Sequence, residues 1–165
     1  MDIKFEKMSS DDAQDVIDIF NYYIENSFAA FLEEKLPYTF FGKFLEMTEG
    51  YPAYTIKTAK DSQTVGFCFL RAYHPLPTFK ETCEITYFIA PEFTNKGVGK
   101  KALQLLEAEA KKMGISNILA AISSYNDMSI EFHRLNGFDE CGRFERVGKK
   151  MNKYFDVVWM QKKLL

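Results

Sequence analysis

Glu84 stands in an otherwise apolar run, Cys83-Glu84-Ile85-Thr86-Tyr87-Phe88-Ile89, and a short way on comes Lys96-Gly97-Val98-Gly99-Lys100. A carboxylate held in such a strand is partly desolvated, which raises its pKa and suits it to take a proton directly or through a water. The glycine turn opens an amphipathic helix, and a helix start offers free N–H groups and a positive dipole end to a phosphate. Gly97 and Gly99 would let that backbone approach a ligand closely. His133 is one of two histidines, with His74, and a histidine can give or accept a proton near physiological pH. The chemistry these residues suggest is proton removal from a nucleophile beside a phosphate-bearing ligand.

Each residue also admits a plainer role. Strand alternation could point Glu84 to solvent, Gly-x-Gly-Lys can be an ordinary strand-to-helix turn, and a lone helical histidine can simply pack or cap. Two familiar phosphate motifs do not fit. A Walker loop would need Gly at 94 and Ser or Thr at 101, where the chain has Thr94 and Lys101. A dinucleotide fingerprint could use Ala102 in place of its third glycine, but the strand 118–123 that should end in an acid contains none. His74, beside Pro75, reads as a loop residue near the acceptor pocket. Cys68, Cys83 and Cys141 are odd in number, widely spaced and set in apolar sequence. They read as reduced, buried structural thiols rather than a disulfide frame, a zinc site or a nucleophile.

The elements that must position these groups follow from periodicity. Ile3–Lys7 reads as a strand, and Ser9-Ser10-Asp11-Asp12 as a helix start followed by Val16, Ile17, Phe20, Tyr23 and Ile24 at helical spacing. Residues 38–47 read as a second helix. Strands at 54–58 and 65–73 form a hairpin across Lys60-Asp61-Ser62, and His74-Pro75-Leu76-Pro77 breaks the second before the strand at 83–90. Apolar positions 98, 102, 105, 106, 110 and 113 make one face of a helix that Gly114 stops. A strand at 117–123, a helix at 128–135 and two strands at 138–146 and 154–162 around a Gly148-Lys149-Lys150 loop complete the chain. This is a mixed α/β pattern with a largely antiparallel sheet, not regular βα alternation.

Composition bounds the rest. The 165 residues fit one domain, with 47% hydrophobic and 27% charged residues. A net charge of −2 gives no electrostatic reason to expect nucleic acid or an anionic membrane as a partner. The sequence has neither a signal-like start nor an apolar run of membrane-spanning length, so a cytoplasmic location is expected. Sixteen Phe and nine Tyr imply a large aromatic core or an aromatic-lined pocket.

The series Glu84-x-Thr86-x-x-Ile89, Lys96-Gly97-Val98-Gly99 and Asn126-x-x-Ser129-x-x-x-His133-x-x-x-Gly137-Phe138 resembles the GNAT superfamily of acetyl-CoA-dependent N-acetyltransferases. It is most similar to the phosphinothricin acetyltransferase-like, or L-amino acid N-acyltransferase, branch. The resemblance covers nearly the whole chain. Tyr23 to Ser27 with Phe31 is similar to that branch's first helix and substrate loop, and Gly148-Lys149 with Asp156 to its closing hairpin.

The resemblance implies a GNAT-like α+β domain over 1–165, with helices flanking a mixed, mostly antiparallel, twisted sheet. It implies acetyl-CoA as co-substrate, a small amine as acceptor, no metal and a homodimer. Backbone N–H groups of Asn95, Lys96, Gly97, Val98, Gly99 and Lys100 would bind the diphosphate. Tyr87, Phe88 and Ile89 would pair with the pantetheine arm, and Asn126 would bond it from the other side. Glu84 would be the base and His133 the acid or auxiliary base. The N–H of Phe88 or Ile89 would polarise the thioester, and Phe28, Phe31 and Phe79 would line the acceptor pocket.

The chain also departs from the branch. Thr94 replaces an Arg or Gln, Phe88 a tyrosine and Leu32 an arginine, and Pro75 to Phe79 lacks the usual Arg and Tyr. Loss of those guanidinium groups removes bidentate carboxylate binding, so the resemblance does not by itself imply an amino acid acceptor. A CoA-binding module without turnover, or transfer to a protein or peptide amine, stays open.

Overall fold

Residues 1–164 are described by a computed structural model. Period-two runs become strands β1 (Ile3–Lys7), β2 (Ala53–Thr58), β3 (Thr64–Ala72), β4 (Thr82–Ile89), β5 (Asn117–Ser123), β6 (Asp139–Lys150) and β7 (Lys153–Lys163). Segments of helical period become α1 (Ala13–Asn26), α2 (Phe41–Met47), α3 (Val98–Lys112) and α4 (Asp127–Leu135). The strands form one sheet in the order β1-β2-β3-β4-β5-β7-β6. Every neighbouring pair is antiparallel except β4 and β5.

That one parallel pair matters most. β4 and β5 are in register only at Thr82↔Asn117, Cys83↔Ile118 and Glu84↔Leu119. Beyond Glu84 the strands splay and leave a gap in the middle of the sheet.

Each face carries its own core. Phe67, Phe69 and Phe88 project toward α1 and α2, where Val16, Ile17, Phe20, Ile24, Phe41 and Phe44 meet them. Cys83, Ile85, Ile118, Ala120 and Ile122 project the other way onto α3, through Val98, Ala102, Leu103 and Leu106. Burying Leu103 and Leu106 fully contributes roughly 1.5–3 kcal/mol each, enough to fix α3 and hence its first turn against the sheet. The backbone N–H of Ser9 donates to Asp12 Oδ2 at 2.9 Å, the capping that starts the first helical segment.

Three expectations change. The segment 38–47 opens with a 3-10 turn at Tyr38–Phe40 before α2 begins. Pro37 sets an extended entry there, and the tighter turn follows. The final loop is not at Gly148–Lys150, which belongs to β6; the chain reverses at Met151-Asn152, both left-handed with φ 51° and 59°. Two consecutive positive φ values make the hairpin twist that joins strands directly. Gly148 is required inside the strand because a Cβ there would lie 2.2 Å from the Phe155 ring. Finally, Cys68 and Cys83 are buried but Cys141 is exposed. The register passes from Glu140↔Met160 to Gly142↔Trp159, so Cys141 is the extra residue of a bulge on an edge strand. Among the described residues no helix is long and apolar enough to cross a membrane.

Candidate active site

The gap between β4 and β5 opens into a cleft of about 1020 Å³ that runs through the sheet from one helical layer to the other. Its backbone edge can be assigned from the neighbouring ladder. Ala90 N–H donates to Val65 O at 2.8 Å, and Leu70 N–H donates to Pro52 O at 3.0 Å. With Phe67↔Phe88 and Phe69↔Thr86 opposite one another, Glu84, Thr86 and Phe88 bond to β3, and Ile85, Tyr87 and Ile89 turn their polar groups toward β5. The Ile89 carbonyl is taken by the Tyr23 hydroxyl. Tyr87 N–H and C=O and Ile89 N–H are left facing the gap, spaced to bond an extended chain laid alongside. The N–H of Phe88 is spent on β3, so of the two donors expected to polarise a carbonyl only Ile89 faces the cleft.

At one end of the cleft lies the glycine turn. Asn95 and Gly97 both have left-handed backbone, φ 60° and 83°, and the first α-helical bond runs from Lys101 N–H to Gly97 O at 3.2 Å. The six N–H groups from Asn95 to Lys100 donate to no acceptor among the described residues. Six free donors at the positive end of a helix of four turns could hold an anionic group such as a diphosphate. Asn95, Gly97, Gly99 and Lys100 line the cleft; Lys96 is exposed and outside the lining, its Nζ 5.5 Å from the centre of the Phe93 ring, and the Val98 side chain is buried in the core. Across the gap, Asn126 caps α4 by accepting from Ser129 N–H at 3.3 Å, leaving its amide N–H₂ toward the cleft.

Pleating puts the two proposed catalytic side chains on opposite faces of the sheet. Glu84 shares its face with Phe88 and with Arg71, its cross-strand partner. Its side chain is 14% exposed, and Arg71 Nη2 lies 3.4 Å from Oε2. Burial pushes the Glu84 carboxyl above the usual range, and the Arg71 charge opposes that without cancelling it.

His133 is buried on the other face, its ring stacked on Tyr87 and edge-on to Phe138. Both nitrogens are engaged. Nδ1 lies 2.7 Å from the Ser129 carbonyl, which can only accept, so Nδ1 carries the hydrogen. Nε2 then accepts from the Tyr87 hydroxyl. Burial lowers the His133 pKa, while the Ser129 carbonyl pulls it back upward. In the neutral form His133 therefore has no free proton on the cleft side, and it holds Tyr87 in place.

Another part of the cleft wall is aromatic. Phe28 packs on Tyr125 and Phe155, and Phe31 stacks on Phe155 at 5.6 Å. The loop bearing Phe28 and Phe31 is tied at two points. Asn21 bonds both backbone groups of Leu36, at 2.8 and 3.0 Å. The fully buried Lys150 donates to Ala30 O at 2.6 Å, and burial lowers its pKa. Phe28 and Phe31 line the cleft; Phe79 and His74 do not, packing on each other and Tyr73 in the exposed 73–79 segment. The sequence reading missed Arg71, the Tyr87 hydroxyl and Lys150. Arg71 carries a signal only once the β3/β4 register is known. Among the described residues no group of three His, Cys, Asp or Glu side chains could hold a metal ion.

Residues 16–138 match the acetyltransferase (GNAT) family. An L-methionine sulfoximine/L-methionine sulfone acetyltransferase of Pseudomonas aeruginosa is 32% identical over 115 residues, which is 68% of this chain and 65% of that protein's length. A phosphinothricin N-acetyltransferase of Streptomyces coelicolor is 24% identical over 163 residues, covering 93% of this chain and 92% of that one. The crystal structure of a phosphinothricin acetyltransferase from Sinorhizobium meliloti in complex with AcCoA superposes with a TM-score of 0.92 at 22% identity, over 99% of this chain and 89% of that one. That likeness establishes the fold.

Proposed function

The chain belongs to the acetyltransferase (GNAT) family, and on that premise we propose that it moves an acetyl group from acetyl-CoA to the primary amine of a small acceptor. The observation that carries this reading is the pairing of six unpartnered amides at 95–100 with the free edge of β4 at Tyr87 and Ile89. The amides suit the diphosphate, the β4 edge and Asn126 suit the pantetheine arm, and together they bring the thioester to the neck of the gap beside Glu84. The small-molecule acceptors named for the relatives agree with a cleft walled by Phe28 and Phe31.

An aliphatic ammonium titrates near about 10, so its nitrogen must lose a proton before it can attack. Glu84, held above the usual carboxylate range by burial, takes that proton directly or through one water. The C–N bond then forms and the C–S bond breaks in one direct transfer, with Ile89 N–H donating to the carbonyl oxygen as charge develops there. The nitrogen, now bonded to the acetyl carbon, gives its second proton to solvent, Glu84 releases the first, and the departing thiolate takes a proton from solvent. A free thiol titrates near about 8.5, so this step needs no strong acid from the protein. His133 keeps the Tyr87 wall of the cleft in place. We place this enzyme in the cytoplasm, as a homodimer.

Thiol release with acetyl-CoA against a panel of amino acids, polyamines and aromatic amines tests the reading, run beside Glu84→Gln. The variant should bind CoA as the parent does and lose about 10²- to 10⁴-fold in kcat. Absence of CoA affinity in the parent, or an unimpaired Glu84→Gln, would overturn it.

A further inference from the structure

Three lysines, Lys149, Lys150 and Lys153, flank the reversal between β6 and β7, and two of them are exposed. Lys150 is fully buried. An ammonium is costly to withdraw from water unless something accepts from it. Its one acceptor among the described residues is the Ala30 carbonyl at 2.6 Å, in the loop that joins α1 to the turn before α2. A second bond runs between the same two segments, for Met151 N–H donates to Glu33 Oε1 at 3.0 Å. Phe155, on β7, packs on that loop too, stacked on Phe31 and edge-on to Phe28.

The loop has no helix or strand of its own, and Asn21 holds its far end at Leu36. Between Phe28 and Lys35 the only polar contacts with other segments of the described protein are the bonds at Ala30 and Glu33. Phe31 is 44% exposed and Phe28 half-buried, so core packing alone does not fix either ring. Residues 27–32 line the cleft, whereas Lys150, Glu33 and Met151 lie outside the lining. The lysine acts from behind the wall.

We propose that Lys150 is a positioning residue for the acceptor amine: through the Ala30 carbonyl, with Glu33 as the outer half of the clasp, it sets the Phe28 and Phe31 rings and touches neither substrate. This rests on the acetyltransferase reading, in which that loop walls the acceptor's part of the cleft. The amides at 95–100 and the free edge of β4 take no bond from Lys150 or Glu33. Loss of the clasp should therefore be felt by the amine and not by the co-substrate.

The test replaces Lys150 by methionine, similar in length but without charge or donor. Exchanging a buried charge for an apolar group of like volume often leaves stability unchanged or raised. Thiol release, with the best acceptor found among amino acids, polyamines and aromatic amines, gives KM for both substrates. In Lys150→Met the amine KM should rise about 5- to 30-fold, the loss of one bond from a charged donor, with kcat and the KM for acetyl-CoA kept. Glu33→Ala, at an exposed position, should move the amine KM the same way by about 2- to 5-fold. Lys149→Met, one residue away and exposed, should move neither constant. Hydrogen exchange at residues 28–35 should quicken in Lys150→Met and stay as in the parent at 95–100. An amine KM unmoved in both clasp variants, or a joint rise of both KM values, would overturn the inference and leave the acetyltransferase reading intact. If Lys150→Met does not fold, Glu33→Ala decides alone. Absence of thiol release by the parent with every amine would instead remove the acetyltransferase reading, and this role for Lys150 with it.

Discussion

Replacing Gly97 by alanine isolates one physical property of the diphosphate turn. Gly97 has φ +83°, and a Cβ built there meets nothing within 4 Å. The substitution therefore adds no clash; its whole cost is that of holding an L-residue in the left-handed region, about 1–2 kcal/mol. If the turn relaxes in the free protein, that cost appears on binding as an approximately 5- to 30-fold weaker CoA affinity. If α3 holds the turn regardless, it appears as a fall in Tm of about 2–8 °C for a chain of this length. Isothermal titration with CoA and a thermal melt on the same samples read both shares. Gly97→Asn should recover most of either loss, since asparagine tolerates this backbone, as Asn95 already does at φ 60°. Gly99→Ala is the control. Its φ is not in the left-handed region and its Cβ would sit 3.7 Å from Phe132, ordinary contact inside the first helical turn. The fold should tolerate it or gain up to about 1 kcal/mol. An unchanged Kd together with an unchanged Tm in Gly97→Ala would refute the argument that left-handed backbone builds the cradle.

Removing the Arg71 charge leaves burial unopposed at Glu84, so its carboxyl rises further and the basic form is lost at higher pH. The acid-side fall of the pH–rate profile of Arg71→Gln should therefore lie at higher pH than in the parent; an unmoved limb would separate Glu84 from that titration. Tyr87→Phe leaves Nε2 of the buried His133 without its donor, a cost of about 1–3 kcal/mol that should lower Tm by several degrees. An unaltered melting curve would mean that Nε2 finds another partner.

Much of the fold was legible because its signals are local. The period of α3, the acid-bearing strand at 83–90 and the stop at Gly114 each depend on a few neighbouring residues. Where the reading went wrong, the deciding contact was distant. Gly148 looked like a turn glycine, but it is glycine because Phe155, from the next strand, occupies the space of its side chain. Cys141 reads as core between Phe138 and Phe144, but all of β6 from Asp139 to Val147 is exposed at the edge of the sheet, and a strand's place at an edge is not written in its neighbouring residues. The glycine turn was readable in place and in order, but nothing in Lys96-Gly97-Val98-Gly99 reveals that six consecutive amides are left without acceptors.

The site itself turns on register. Glu84 and Tyr87 differ by an odd number of positions, so in a regular strand they must face opposite layers, and His133, stacked on Tyr87, must lie away from Glu84. The sequence reading put Glu84 and His133 together as base and acid because both belong to one motif series. In the sheet they are divided by it, and only the splay of β4 from β5 lets one ligand reach both sides. The same register sets Arg71 against Glu84 and aligns Tyr87 and Ile89 amides with the gap. A one-residue slip of β4 would carry the carboxylate into the α3 layer, bury the Tyr87 phenol under α1 and turn the free amides onto β3. The acceptor face and the thioester face are thus fixed together, by the pairing of β3 with β4 and by the three residue pairs that β4 and β5 share before they part.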